Sequence, residues 1–382
     1  MSELLNETLS AQLIAYRHYF HEYPELSSKE FNTTKKIREI LTSWGIRLLP
    51  TNLKTGVFAE IGQNDGPILG LRADIDALPI DEAANVTFRS KNPGVMHACG
   101  HDTHIVSLLG GAYLLKQQEQ VLPGRVRLIF QLAEEADEGA LQVIHDGKIK
   151  DLAAIIGFHN TPNQPVGQIG FRAGITSGAI DKFKVTLTGI GTHASAPQNG
   201  QDPIVALGAE IGALQTVISR QIDPLQGGVL SITHVAAGNT WNIIPETAFF
   251  EGTVRTTDKK IRQTIKTHFF DIVNNTAKAY GTTATITWYT GDPSVDNDKE
   301  LTQIMIDESS QFTTTYDLQP RLGSDDFSCY QTYIPGVYAN IGNGGTVSNH
   351  NSRFTAADET VIYGTKFFER NAIRLLKELS TN

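Results

Sequence analysis

Apolar positions along the first half of the chain follow two alternating rhythms. Leu4, Leu5, Leu9, Leu13 and Ile14 recur at helical spacing across residues 4–20. HEYPELSSKE reads as a turn. A second helix is expected over 27–44, opened by Ser27-Ser28 with Glu30 as a capping-type start. Two short runs of strand length follow, TGVFAEIG and PILGLRADID. Helix and strand then alternate: a helix over 104–118, the strand GRVRLIFQLAEE, a helix over 138–147, and the strand LAAIIGFHN. Buried apolar strands alternating with helices predict an α/β sheet that is at least partly parallel.

The rhythm changes after residue 180. DKFKVTLTGIG reads as a strand, DPIVALGAEIGALQTVISRQ as a helix with an Asp-Pro start, and GGVLSITHVAAG and ETAFFEGTVRTT as two strands. DKKIRQTIKTHFFDIVNNTAKAY is a helix and TATITWYT a last strand. The order β-α-β-β-α-β is that of a ferredoxin-like unit. From Gly291 the alternating pattern returns and ends in the helix TVIYGTKFFERNAIRLLKEL. The predicted architecture is therefore a mixed-sheet α/β catalytic domain (1–180 and 292–382) interrupted by a ferredoxin-like α+β domain (181–291).

Composition narrows the class. A chain of 382 residues suggests two domains, and 40% hydrophobic with 19% charged residues fits a globular protein. A net charge of -9 disfavours nucleic acid and anionic membranes as partners. The first twenty residues start acidic and polar, with no basic stretch followed by an apolar block, so neither a signal peptide nor a transmembrane span is expected. Two cysteines, Cys99 and Cys329, make no disulfide framework, so the expected compartment is the reducing cytoplasm.

Candidate chemistry concentrates in MHACGHDTH, residues 96–104, where three of the 11 histidines and one of the 2 cysteines meet Asp102. Other metal-capable side chains fall at the ends of predicted strands. Asp74 and Asp76 close LGLRADID, Glu134 and Glu135 close VRLIFQLAEE, His159 closes AAIIGFH, and His350 follows the apolar run GVYANIG. Open α/β sheets bind ligands at the carboxyl ends of their strands. Singly, each residue has a plainer reading: a buried thiol, a core histidine, a solvated corner of glutamates, an Asp-x-Asp turn. Their repeated fall at equivalent places favours a site. Thiolate, imidazole and carboxylate suit zinc, cobalt, nickel or manganese. The donors exceed one tetrahedral ion, which points to a pair of ions activating water for hydrolysis. One of the adjacent glutamates would ligate while the other serves as general base.

Together GLRADIDALPI, MHACGHDTH, FQLAEE, GFHN, GTHASAP and NIIPE resemble the aminoacylase/carboxypeptidase metallopeptidase family, above all its amidohydrolase subfamily of hippurate hydrolase, N-acetyl-diaminopimelate deacetylase and auxin-conjugate hydrolases. The resemblance spans nearly the whole chain. It implies that Cys99, His101, Glu135, His159 and His350 hold two divalent ions (manganese, zinc, nickel or cobalt). It implies Glu134 as base, with Asp74 and Asp76 orienting ligands from behind. The inserted domain would act as a lid and pair two copies into a homodimer. His193 would polarise the substrate carbonyl, while Asn242 and Arg255 would hold its carboxylate. The implied reaction cleaves the amide of a small N-acyl amino acid, N-acetyl or aromatic acyl. A dipeptidase or carboxypeptidase would use the same chemistry, and a non-catalytic metal- or ligand-binding protein is the rival of another class. Three positions depart from the family: Leu132 where proline is usual, Asp325 where glutamate is usual, and SNHNSRF before the last ligand. Leu132 leaves φ unfixed beside the base.

Overall fold

In the larger sheet of the computed structural model the strands lie in the order Arg47–Leu48, Val57–Ile61, Arg125–Gln131, Ile68–Asp74, Ala154–Thr161, Gly336–Gly342, Ile169–Phe171, Thr315–Asp317. Residues 5–63, 65–136, 138–223 and 225–381 are described. The four central strands run parallel to one another, and the edges are mixed. Their carboxyl ends therefore share one side of the sheet, where Asp74, the segment after Gln131, His159 and the segment after Gly342 all emerge. Ile68–Asp74 and Gly336–Gly342 are buried along their whole length, as strands covered on both faces must be.

Helices cover the sheet. Glu7–Glu22 is capped by Asn6, whose side chain accepts from Leu9 N at 2.9 Å. His101–Gln117 is buried on nearly every side because Glu7–Glu22 and Glu359–Leu379 both pack on it. Gly110 permits this approach, since a Cβ there would strike the side chains of Thr365 and Leu13. Leu13, Leu108, Leu109 and Phe368 lie in this core without solvent exposure. Truncating such a residue to alanine costs about 2–5 kcal/mol.

Several element boundaries differ from the sequence expectation. The second helix begins at Phe31, not at Ser27. Ser27 is drawn elsewhere, donating its hydroxyl to Asp76 Oδ2 at 2.7 Å, and Ser28 is left-handed with φ 63°. The third helix begins at His101, not His104, so His101 and Asp102 occupy its first turn. The strand before the two glutamates stops at Gln131, and Glu134–Ala136 form a single 3-10 turn.

The chain divides into two units. One holds the residues up to Thr176 together with Asp296–Gln319 and the segment from Asp326 onward; the other is Ser177–Val295 with Pro320–Asp325. The second unit is a four-stranded antiparallel sheet in the order Gly228–Ala237, Thr247–Thr256, Ala179–Thr188, Thr283–Thr290. Its helices are Pro203–Gln221 and Lys259–Ala279. That strand order with two crossover helices is the ferredoxin-like arrangement. Both helices start on an aspartate cap: Asp202 accepts from Ile204 N at 2.8 Å, and Asp258 from Lys260 N and Ile261 N. A short ribbon outside that arrangement pairs Thr192–His193 with Ile243–Ile244. The ends of this unit are tied together, with Val295 N donating to Ser177 Oγ at 3.0 Å and Ile180 N to Asp292 O at 3.0 Å. In the first unit, the flanking residues Gly174–Ile175 pair antiparallel with Asp296–Asn297.

Candidate metal centre and active site

The parallel strand ends bring eight of the predicted residues together: Asp74, Asp76, Cys99, His101, Glu134, Glu135, His159 and His350. Groups of candidate ligands with donor atoms within 4.8 Å of one another include Cys99, His101 and His159; Cys99, Glu135 and His350; and His101, Glu134 and Glu135. Cys99 is common to the first two. Cys99 Sγ lies 3.3 Å from His159 Nε2, and Glu135 Oε1 lies 3.3 Å from His350 Nε2. Glu134 Oε2 and Glu135 Oε1 each stand 3.9 Å from His101 Nε2. On a strand these adjacent side chains would diverge. They converge because Ala133, at φ 50°, turns the chain into the 3-10 turn.

The hydrogen bonds decide which ring nitrogens face inward. His101 Nδ1 donates to the Asp76 carbonyl at 3.0 Å, an atom that can only accept. His159 Nδ1 likewise donates to Asn160 O at 2.6 Å. In the neutral ring both Nε2 atoms would then carry the lone pair, with His159 Nε2 3.3 Å from Cys99 Sγ. His101 Nε2 is buried and has no hydrogen-bond partner among the described residues. A buried lone pair beside a thiol and two carboxylates is what a soft or borderline divalent cation satisfies, so the donor set fits such an ion.

Electrostatics point the same way. Burial works against charge on His101, yet Asp74, Asp76 and Cys99 outweigh it and raise its pKa well above the ordinary imidazole value. The pocket thus favours positive charge. Burial pushes the Cys99 thiol up to about 12, so a thiolate here needs a cation beside it. Burial alone would raise Asp74 as well, but His101, Arg72 and His104 hold its carboxyl well below the usual carboxylate range.

Asp74 and Asp76 stand behind the donors. Asp76 Oδ2 accepts from Glu135 N at 3.0 Å and from Ser27. Asp74 accepts from Arg72 at 2.6 Å and from His104 Nδ1 at 2.6 Å. Sequence reasoning passed over several residues of this support. Arg72, fully buried, also meets Asp326 at 2.6 Å and Gln131 at 2.8 Å. A charge inside an apolar strand was the available signal. His104 is spent on Asp74 and on Asn160, whose N and Nδ2 both lie 2.9 Å from its Nε2. Asn160 Nδ2 in turn donates to Cys99 O at 2.6 Å. His97, although in the dense motif, joins none of the ligand groups. Burial lowers its pKa to about 4, which keeps it neutral.

The remaining predicted residues lie in the second unit. His193 is exposed, and its Nδ1 accepts from Ser195 N at 3.1 Å. A backbone N–H can only donate, so the neutral ring carries its proton on Nε2. Asn242 is beside it across the ribbon, its carbonyl accepting from Ala194 N at 3.0 Å. Arg255 is not part of that ribbon: its guanidinium donates to Leu322 O at 3.3 Å and Ser324 Oγ at 3.4 Å.

Residues 70–374 match the model of peptidase family M20/M25/M40. The chain belongs to that family. It is 43% identical to the N-acetyl-L-cysteine deacetylase of Bacillus subtilis (strain 168), the match covering 97% of this chain and 89% of that protein. It is 34% identical to the IAA-amino acid hydrolase ILR1-like 4 of Arabidopsis thaliana, over 97% of this chain and 87% of that one. Among solved structures, the Bacillus subtilis YXEP protein, described as a dinuclear metal binding peptidase from the M20 family, superposes with a TM-score of 0.89 at 40% identity. That match covers 97% of this chain and 99% of that chain. Among the described residues no helix is long and apolar enough to cross a membrane.

Proposed function

We propose that this protein is a metal-dependent amidohydrolase that cleaves the amide bond of N-acyl amino acids. The observation that carries the reading is the buried Nε2 of His101, which has no hydrogen-bond partner among the described residues and is gathered with Cys99 and both glutamates. Two of the relatives support the substrate class: one is named for N-acetyl-L-cysteine, the other for amino acid conjugates.

Cys99, His101, Glu135, His159 and His350 would hold two divalent ions, manganese, zinc, nickel or cobalt, with Cys99 common to two of the ligand groups. When bound, such a pair supplies Lewis acidity, polarising a carbonyl and making water a better nucleophile at neutral pH. Glu134 takes the proton of the attacking water and returns it to the leaving amine. His193 offers its Nε2–H to the acyl oxygen as charge develops there. Asn242 and Arg255 supply donors for the substrate carboxylate, with Arg255 the better match for its planar geometry. The Asp76 carbonyl fixes the His101 tautomer, its carboxylate holds the Glu135 N–H, and Asp74 braces His104 and Arg72 behind the ligands. The ferredoxin-like unit would serve as the lid and pair two copies. Cys99 and Cys329 are not joined in a disulfide, which supports a reducing, cytoplasmic compartment.

The deciding experiment removes metal with a chelator, reloads each of the four metals, and assays N-acetyl and N-benzoyl amino acids beside dipeptides. Amino acid release from the acylated substrates, with metal content near two per chain, is the expected result. Preference for dipeptides would move the reading to a peptidase. No turnover with any substrate at full metal loading would overturn it.

A further inference from the structure

Glu30 lies far from the ligands in sequence and makes no part of the chemistry above, yet it is a wholly buried carboxylate. Its Oε1 accepts two backbone bonds, from Ser28 N at 2.8 Å and from Ala133 N at 2.9 Å. Both donors belong to residues in the left-handed region, Ser28 at φ 63° and Ala133 at φ 50°. Only four non-glycine residues with positive φ occur among the described residues, and these are two of them. L side chains resist that conformation, so something must hold it. Ala133 is the residue whose turn swings Glu134 and Glu135 together. The neighbouring Ser27 hydroxyl meets the same Asp76 oxygen that receives Glu135 N. Segment 27–30 therefore holds the glutamate turn twice, directly through Glu30 and by way of Asp76 through Ser27.

We propose that Glu30 is a positioning residue that holds Ala133 left-handed and so sets the placement of Glu134 and Glu135 in the active site. This rests on the reading of those glutamates as base and ligand. Burial also raises the Glu30 carboxyl above its ordinary range, which makes a neutral amide a close substitute.

The test compares Glu30→Gln, which keeps an accepting oxygen, with Glu30→Met, which fills the space but accepts nothing. Three quantities are read: hydrogen exchange at the Ala133 amide, cobalt affinity by titration, and kcat with KM for an N-acetyl amino acid. Glu30→Met should lose protection at Ala133, bind cobalt more weakly, and lose on the order of 10–100-fold in kcat with KM little changed. Glu30→Gln should keep all three near wild type. Adding Ala133→Gly to Glu30→Met should restore part of kcat, because glycine needs no clamp to turn left-handed. A folded Glu30→Met protein with normal protection and kcat would overturn the proposal. So would a Glu30→Gln protein as damaged as Glu30→Met, and this second arm decides if no methionine variant folds. Exchange at Ala133 reads the clamp without catalysis, so an inactive wild type would sink the hydrolase reading and leave the clamp still measurable.

Discussion

Asn160 spends both its backbone N–H and its carboxamide on one acceptor, His104 Nε2, each at 2.9 Å. That pairing removes His104 from the pool of metal donors, although it lies one helical turn from His101. The Asn160 carboxamide also donates to Cys99 O at 2.6 Å, which anchors the residue after His159 to the loop that carries Cys99. The donor set is thus chosen as much by which imidazoles are already bonded as by which are near.

The two glutamates should separate by function. Glu134→Gln keeps shape but cannot take a proton. It should retain metal and substrate while losing about 10²–10⁴-fold in turnover. Glu135→Gln should weaken metal binding and recover part of its activity with excess metal. Elemental analysis beside steady-state kinetics distinguishes them, and metal loss confined to Glu134→Gln would exchange the roles.

Loading with metal should release protons. The His101 pKa is raised and the Cys99 thiol sits at about 12 without a cation, so an incoming ion must displace a proton from each. Protons compete with the ion, so affinity should fall as pH falls. Calorimetric titration in buffers of different ionisation enthalpy should count on the order of two protons per chain at pH 7 to 8. No proton release would show that these two groups are not ligands.

Glu210 gives the second unit a pH dependence of its own. Its carboxyl oxygens are buried with no hydrogen-bond partner among the described residues, and burial raises its pKa from 4.5 to about 8. A folded-state pKa above the unfolded value means stability that is full below pH 4.5 and lost as pH rises through 8. Glu210→Gln should therefore gain over wild type across that window, with the gain level at higher pH. Thermal melts at pH 5, 7 and 9 check this, and equal differences at all three would refute it.

Gly100 should tolerate no side chain. It caps the His101–Gln117 helix at φ 83°, and a Cβ there would run into the Asn160 carboxamide. Gly100→Ala should displace Cys99 and His101 together, lowering cobalt affinity and altering the bound-cobalt absorption spectrum. A variant with wild-type affinity and spectrum would show that the Asn160 contact is dispensable.

Much of this was legible in the chain itself. Continuous apolar strands exposed the parallel sheet, and carboxylates and imidazoles at their ends marked the site. Ser27 misled because a serine at a helix start usually caps, whereas here the hydroxyl has a stronger tertiary claim from Asp76. Glu134 and Glu135 were read as a strand end because a left-handed alanine leaves no mark in sequence; glycine or asparagine would have. The supports Arg72, His104 and Asn160 act through contacts between residues distant along the chain, such as His104 with Asn160 and Arg72 with Asp326. Local pattern carries no record of such pairings.

The stitched ends of the second unit bear on how such a chain can be recombined. Ser177 and Val295 meet within that unit, while Gly174–Ile175 and Asp296–Asn297 are already paired strands in the other. Apart from the short segment Pro320–Asp325, the appendage is plugged in through a two-pronged connector whose prongs are side by side in both halves. A gene that lost the intervening stretch would ask its host sheet to bridge only neighbouring strands, and a gene that gained a different stretch there would ask no more. The same chemistry can in this way be kept, with one half inherited unchanged and the module joined to it traded as a cassette.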